Sequence, residues 1–255
     1  MLTASNLAET EAVRHGFFTR KGGVSEGVLA SLNCGFSGGD PASVVEANRA
    51  RAMKVMGVAP GCLCMVKQVH GTVVHIAEAS SSGPSIIEAD ALVTNKTGLA
   101  IGVLSADCAP VLAVDPVAGV IGAAHAGWRG ALAGVIEAMI ERMADLGAKH
   151  EQIVAAIGAC IAKPSYEVGP DMRAAFEQDD PAGLALFTPV AGSDRFLFDL
   201  KAYGLDRLTR AGVRESLALP EDTMTDEQRF FSARRSRNRG EERFGLLLSA
   251  IALKP

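Results

Sequence analysis

The sequence predicts a mixed α/β (α+β) fold with helices on its outer faces, organised as a single domain over residues 1–255. Short runs of Val, Ile and Ala alternate along the chain with segments of helical periodicity. No internal repeat, linker or low-complexity segment interrupts this alternation. A chain of 255 residues that is 48% hydrophobic is also long enough to bury a substantial core.

Composition and charge exclude several classes of protein. The net charge of −4 argues against a general nucleic-acid-binding surface. Met1–Thr10 lacks the basic start and apolar core of a signal peptide, and no apolar run is long enough to span a membrane. Five cysteines are an odd number without the density of a disulfide scaffold, so we expect reduced thiols and a cytoplasmic location.

The first elements are a strand at Arg14–Arg20 and a helix at Pro41–Gly57, with a glycine-rich loop at 21–27 between them. Arg20 and Lys21 bring a basic pair to this loop. Backbone N–H groups and two cations can cradle an anion, so the loop is either a phosphate contact or a surface turn. It does not have the spacing of a Walker loop.

Two further strands are predicted at Leu63–His70 and Thr72–Ala77. His70 and His75 are five residues apart, so on one regular strand they would point to opposite faces and would not share a site. His70 precedes Gly71 at a loop edge and is the better candidate ligand. A Ser/Gly/Pro-rich loop at 80–85 and a strand leading to Thr94 follow.

The most informative stretch is a predicted hairpin of two buried strands, Pro110–Val114 and Val120–Ala124, joined by a turn over 115–119. If Val114 lies opposite Gly119, Cys108 and His125 face each other at the open end of the hairpin. We therefore predict that both side chains lie on one face of the sheet.

A helix is predicted after His125. Trp128-Arg129-Gly130 leads into apolar residues at i, i+3 and i+4 spacing, and Gly147 ends the pattern. Its N-terminus would lie beside Cys108 and His125, where free N–H groups and Arg129 suit an anion.

The remaining chain is predicted to hold strands at 152–158 and 195–200 and helices at 169–177 and 199–211. The segment Arg229–Arg243 contains six arginines. It is either a solvated basic loop or a contact for phosphate or a partner.

His70, Cys108 and His125 combine metal-binding side chains with positions at strand ends. Two imidazoles and one thiolate leave the fourth position of a tetrahedral zinc site open for water, whose pKa zinc lowers toward about 7. Asp107 could orient a ligand or handle protons. Two alternatives remain open: a buried thiol with structural histidines, or a metal-free Cys–His nucleophile.

Several segments resemble the YfiH/laccase-domain family, also called the polyphenol oxidoreductase or purine nucleoside phosphorylase family. The matching segments are HGFFTRKGGVSEG, KQVHG, EADALVTN, SADCAPVL, AAHAGWRG, SYEVG and, more weakly, FFSARR. The resemblance implies a YfiH-like β-sandwich with helices packed outside. It also implies that His70, Cys108 and His125 are zinc ligands, with copper as an alternative metal.

The resemblance further implies purine nucleoside chemistry. The expected reactions are phosphorolysis of adenosine, inosine or methylthioadenosine to a base and a pentose 1-phosphate, and deamination of adenosine to inosine. Expected catalytic residues are His70, Cys108, His125 and Asp107. Candidate contacts for substrate or phosphate are Arg20, Asn33, Gln68 and Arg129. The expected partners are therefore a nucleoside and phosphate, with no membrane or nucleic acid; oligomeric state is not predicted.

Three rival functions stay open at this point. Copper-dependent polyphenol oxidation needs several copper centres, which a chain with five histidines does not favour. A peptidoglycan-precursor-editing amidase could use the same zinc site. A non-catalytic metal-binding protein would fill the fourth metal position. The chain also departs from the family pattern at Met224-Thr225 and at 237–240, which puts the role of that region in doubt.

Overall fold

The computed structural model describes residues 1–80 and 84–254. Two β-sheets pack face to face, and helices cover both outer faces, as the sequence predicts. In the described ranges the helices are α1 Ser5–Glu9, α2 Ala42–Met56, α3 Trp128–Ala133, α4 Val135–Asp145, α5 Pro170–Asp179, α6 Leu200–Arg210 and α7 Ala233–Asn238. The strands are β1 Val13–Phe17, β2 Leu63–Cys64, β3 Val74–Ile76, β4 Ala91–Thr94, β5 Ala100–Ser105, β6 Ala109–Asp115, β7 Val120–Ala126, β8 Val154–Ile157, β9 Glu167–Val168, β10 Phe187–Pro189, β11 Phe196–Phe198, β12 Glu215–Ala218 and β13 Leu247–Leu253.

The sandwich consists of a six-stranded and a four-stranded sheet. Strand order is β12-β8-β6-β7-β4-β3 in the larger sheet and β1-β13-β5-β2 in the smaller one. Alternate side chains of the central strands, such as Leu112 and Ile121, pack against Ile101 and Ile251 of the smaller sheet. Successive side chains of a strand point to opposite faces of the sheet, and both faces of the central strands are buried. The sequences of these strands are therefore continuously apolar.

Helices bury the outer face of each sheet. Ile136 and Met139 of α4 pack on the six-stranded sheet, and Met53 and Met56 of α2 pack on the four-stranded sheet. The apolar stripes of these helices provide the coverage that the outer sheet faces need. Within 1–80 and 84–254, no helix is both long and apolar enough to span a bilayer.

A small third sheet, β10-β11-β9, packs against α5 and α6 through Phe187 and Phe198. Phe176 of α5 contacts the rings of Phe187, Phe198 and Tyr203, at centroid distances of 4.8–5.1 Å. The backbone N–H of Phe198 donates to the carbonyl of Tyr166, and the two rings also contact each other. This aromatic cluster thereby fixes the segment that carries Tyr166.

The predicted pairing of the central hairpin is wrong by two residues. Val114 pairs with Ile121 rather than Gly119, and Pro110 rather than Cys108 lies opposite His125. Asp115 causes this difference: its carboxylate accepts N–H bonds from Val117 and Ala118 and closes a four-residue loop beyond the strand. Because the error is an even number of residues, the faces are unchanged.

Other element boundaries also differ from the predictions. The helix expected from Trp128 to Gly147 is split into α3 and α4, since Gly134 between them adopts a φ of +100° that only glycine takes readily. The strand expected at 63–70 is regular only over β2. The arginine-rich segment includes α7 and is not simply a solvated loop, because Arg235 is buried. Residues 81–83 of the loop predicted at 80–85 lie outside the described ranges.

Acid should destabilise the fold through His15. This β1 side chain is buried, and its Nε2 accepts a hydrogen bond of 2.9 Å from the backbone N–H of Ala4. Burial lowers its pKa from 6.5 to about 4. The folded state therefore favours neutral His15, so its contribution is present above pH 6.5 and is lost as pH falls toward 4. We expect a loss of about 2–3 kcal/mol of unfolding free energy across this window.

The measurement is the unfolding free energy of wild type and His15→Gln as a function of pH. Glutamine keeps an acceptor for the Ala4 N–H but does not titrate, so the difference between the two proteins should shrink as pH falls. His75→Gln is the matched control. Parallel pH profiles for wild type and His15→Gln would show that His15 carries no such linkage.

Candidate metal centre and active site

A cavity of about 740 Å³ opens where the ends of β5, β6 and β7 meet. His70, Cys108 and His125 lie in its wall together with Trp128, Tyr166 and Met172. The surface is mixed: aromatic and aliphatic groups alternate with the cationic side chains of Arg49, Arg129, Arg234 and Arg237. A concave site with a largely apolar wall and a few convergent polar groups is the usual form of a small-molecule site.

The three predicted ligands converge. One donor atom from each of His70, Cys108 and His125 lies within 4.8 Å of the others, and Cys108 Sγ is 4.0 Å from Nε2 of His70. The two imidazole rings meet edge to face, with centroids 4.8 Å apart. His125 is buried, Cys108 is half-buried, and His70 is exposed at the wall of the cavity.

The donor set fits a tetrahedral metal with one position left open. Ordinary zinc–sulfur and zinc–nitrogen bonds separate ligand atoms by about 3.5 Å, so the observed spacing needs only small side-chain movements to close on an ion. Thiolate and imidazole are donors that suit zinc and also copper. In the described part of the chain, no second group of three such side chains comes together.

The backbone around two of these positions is unusual. His70 and Asp107 are non-glycine residues with φ of +61° and +93°. Such conformations cost energy and persist where the surroundings hold them. Asp107 is held on three sides: its carbonyl accepts from Ile161 N, and its carboxylate accepts from Thr223 Oγ1 at 2.7 Å and from Arg234 N at 2.6 Å. Asp107 thus turns the chain so that Cys108 enters β6 facing the cavity.

Asp90 is a site residue that sequence reasoning missed. It is fully buried, and its Oδ1 lies 2.9 Å from Nδ1 of His125. Its carboxylate also accepts backbone N–H bonds from Val69, His70 and Gly71. In the sequence, Asp90 is visible only as part of the EAD segment just before a strand. Nothing in that segment indicates contacts with residues 69–71 or with His125.

Electrostatics at the site favour a thiolate. Burial would raise the pKa of Cys108, but His125 and then His70 outweigh it and bring the pKa to about 6. Burial would lower the pKa of His125, but Cys108 and Asp90 raise it to about 9. The thiolate form that a metal ligand requires is therefore already favoured near neutral pH.

The structure does not bring all the predicted substrate contacts to this cavity. The guanidinium of Arg20 donates to the carbonyls of Ala30, Val28 and Glu227, away from the cavity wall. Asn33 is fully buried, and its amide bonds to Gly35, Asp40 and Leu246. Both side chains therefore tie together loops of the fold.

Gln68 and Arg129 do line the cavity. The Gln68 amide pairs with both backbone groups of Leu104, at 2.7 and 2.8 Å, and so joins the KQVH segment to β5. Arg129 is exposed and stacks on Trp128, with its guanidinium carbon 4.4 Å from the ring centroid. Among the four predicted contacts, Arg129 is therefore the one that places an exposed positive charge at the cavity wall.

Two cavity arginines come from the segment whose role the sequence left in doubt. Arg234 lies at the start of α7, donates to the carbonyl of Glu167 and lies over the ring of Tyr166. Arg237 lies one turn later and is exposed. The weak FFSARR match, residues 230–235, was the available signal for Arg234, and Arg237 lies two residues beyond it.

Comparison with known proteins places this geometry in a family. The family model described as multi-copper polyphenol oxidoreductase laccase matches residues 14–254. A Streptomyces coelicolor protein named purine nucleoside phosphorylase is 40% identical over 225 residues, which cover 88% of this chain and 91% of the relative. The Escherichia coli purine nucleoside phosphorylase YfiH is 35% identical and aligns over 87% of this chain and 88% of its own length.

Solved structures agree with the sequence relatives. A Neisseria meningitidis protein of family DUF152 superposes with a TM-score of 0.83 at 33% identity, over 99% of this chain and 96% of its own. YlmD from Geobacillus stearothermophilus superposes with a TM-score of 0.86 at 28% identity, over 99% and 94% of the two chains. The chain therefore belongs to the YfiH/laccase-domain family, whose model is described as multi-copper polyphenol oxidoreductase laccase.

Proposed function

We propose that this chain is a metal-dependent enzyme that cleaves purine nucleosides by phosphorolysis. The convergence of His70, Cys108 and His125 on one cavity is the observation that carries the proposal. The names of several relatives, purine nucleoside phosphorylase, support the choice of reaction. We further propose that the metal is zinc and that deamination of adenosine to inosine is a second activity of the same site.

The chain's own residues would hold the substrates in the cavity. Trp128, Tyr166 and Met172 offer aromatic and apolar surface for a purine base, while Arg129, Arg234 and Arg237 offer charge for phosphate. In phosphorolysis a phosphate oxygen forms a bond to the sugar carbon C1′, the bond to the base nitrogen breaks, and the base leaves with its electron pair. A bound metal would supply Lewis acidity and an acidic water at the open coordination position.

Copper-dependent polyphenol oxidation receives less support. A multi-copper oxidase needs several copper centres, and the described residues, which include all five histidines, bring only His70 and His125 together with a cysteine. The peptidoglycan amidase and the non-catalytic metal protein remain alternatives for the same centre.

A metal-free hydrolase is the second candidate function, because one observation favours it. Cys108, His125 and Asp90 form a chain in which an acid orients a histidine beside a thiol of lowered pKa. This is the arrangement of a cysteine nucleophile with its base and an orienting carboxylate. Activity that survives complete metal removal would favour it over phosphorolysis at a metal.

The first test is turnover by the purified, metal-analysed protein. Adenosine and phosphate would be supplied and the products separated by chromatography, with His125→Ala as the control variant. Adenine that depends on phosphate supports phosphorolysis, and inosine supports deamination. No product from a protein that holds one zinc would exclude the nucleoside proposal, and peptidoglycan precursors would be tried next.

Arg129→Ala should raise the KM for phosphate by about 10-fold or more, since a charge-assisted hydrogen bond contributes roughly 1.5–3 kcal/mol. The change in kcat should be smaller. Arg142→Ala is the control, because Arg142 lies on α4 and pairs with Asp145 away from the cavity wall. An unchanged phosphate KM in Arg129→Ala would remove Arg129 from this role.

The single-domain organisation over residues 1–255 and the cytoplasmic location remain predictions.

A further inference from the structure

Among the described residues, the carboxylate of Asp90 accepts hydrogen bonds only from the segments that carry the two candidate histidine ligands. Its Oδ1 faces Nδ1 of His125 at 2.9 Å and accepts from the backbone N–H of His70 at 3.0 Å. Its Oδ2 accepts from the N–H groups of Val69 at 3.0 Å and Gly71 at 2.7 Å. The carboxylate is completely buried, so these four contacts take the place of its hydration shell.

The three backbone contacts fix the turn that carries His70. His70 has a φ of +61°, which a non-glycine residue adopts only when its surroundings hold it. Three consecutive N–H groups directed at one carboxylate provide that constraint. Without them, the 69–71 turn would lose its anchor to the sheet, and the imidazole of His70 would lose its fixed direction.

The side-chain contact fixes the tautomer of His125. An ionised carboxylate only accepts, so Nδ1 of His125 must carry the proton that it donates to Asp90. A metal that replaces the proton on Nε2 then finds that nitrogen beside Cys108 and His70, while Nδ1 stays bonded to Asp90. The backbone N–H of His125 also donates to the carbonyl of Asp90 at 2.7 Å, which locks the strand positions of the two residues.

We propose that Asp90 is a positioning residue that presets both histidines, so that the metal meets a formed site. The proposal rests on the proposed metal centre and adds a residue that would never touch the ion. Carboxylates that hold a ligating histidine in this way commonly change metal affinity by 10- to 100-fold when they are replaced.

The test is zinc affinity of Asp90→Asn, measured by competition with a chromophoric chelator. Asparagine keeps one acceptor oxygen, but its NH₂ group cannot accept a hydrogen bond. That group would face either Nδ1 of His125 or the backbone N–H groups of Val69 and Gly71. Asp115→Asn is a matched control. Asp115 is also completely buried, its Oδ1 accepts from Val117 N and Ala118 N, and its Oδ2 accepts from Lys149 N, at the opposite end of the hairpin.

We expect Asp90→Asn to bind zinc 10- to 100-fold more weakly, while Asp115→Asn stays within about twofold of wild type despite a similar loss of thermal stability. The cobalt-substituted Asp90→Asn protein should also show altered ligand-field bands, which a general loss of stability would not produce. A folded Asp90→Asn protein with wild-type zinc affinity would overturn the proposal. Wild-type protein that binds no zinc would instead overturn the metal centre itself.

A second measurement applies if Asp90→Asn does not fold. Nitrogen-15 NMR of histidine-labelled, zinc-loaded wild type reports which ring nitrogen of His125 carries the proton, with the signal assigned by its loss in His125→Gln. A proton on Nδ1 supports the proposal. Metal coordination through Nδ1 would contradict it.

Discussion

Replacing Cys108 with serine should lower kcat/KM for nucleoside turnover by about 10³-fold or more and remove most of the bound metal. Cys108 supplies the only sulfur among the three converging donor atoms, and its pKa of about 6 makes it a thiolate at neutral pH. A serine hydroxyl stays protonated there and ligates metal poorly. Losing the metal removes several kcal/mol of transition-state stabilisation, which corresponds to the stated factor. The measurements are steady-state kinetics and metal content by mass spectrometry.

Cys34→Ser is the matched control for Cys108→Ser. Cys34 is a buried free cysteine whose pKa is raised to about 12 by burial, so it is an inert thiol away from the cavity wall. A folded Cys34→Ser protein should keep its metal and its turnover within about twofold. A Cys108→Ser protein that retains both metal and activity would show that the other donors suffice. If wild type stays active after metal removal and Cys108→Ser does not, the thiol itself is the nucleophile.

The candidate ligands could be predicted from the sequence because each one follows or precedes a recognisable strand. His70 stands before a glycine, Cys108 directly precedes β6, and His125 is the penultimate residue of β7. The pairing was predicted two residues out of register, yet both side chains stayed on the face that was expected. Sheet geometry has a period of two, so an even error preserves the face while an odd error would have separated the ligands.

The supporting contacts could not be predicted, because they depend on tertiary pairings that leave no local pattern. Asp90 meets the 69–71 turn and His125 across 19 to 35 positions of sequence. Arg234 reaches the cavity because α7 folds back against Asp107. Arg20 is the converse case, because a cation beside a glycine-rich loop is a local pattern typical of an anion site. In the structure, the guanidinium of Arg20 donates to backbone carbonyls of the protein.

Gly23→Ala should destabilise the fold by about 3 kcal/mol, and it tests the interpretation of that glycine-rich loop. A Cβ at position 23 would overlap the carbonyl oxygen of Ser31 and approach Cα of Leu32 to 2.5 Å. Both are backbone atoms that cannot rotate away. The loop is also bonded to its surroundings, since Val24 N donates to Asn48 and Ser25 Oγ donates to Asp40. We therefore expect the alanine to disrupt internal packing rather than phosphate binding.

The measurement for Gly23→Ala is unfolding in denaturant, together with the phosphate KM of the protein that remains folded. Gly61→Ala is the control, because a Cβ at Gly61 meets no atom within 4 Å and its backbone φ is not in the left-handed region. Gly61→Ala should leave stability within about 0.5 kcal/mol of wild type. A Gly23→Ala protein of normal stability with a raised phosphate KM would reverse the interpretation. The loop would then be an anion cradle, and Arg20 would join Arg129 as a phosphate contact.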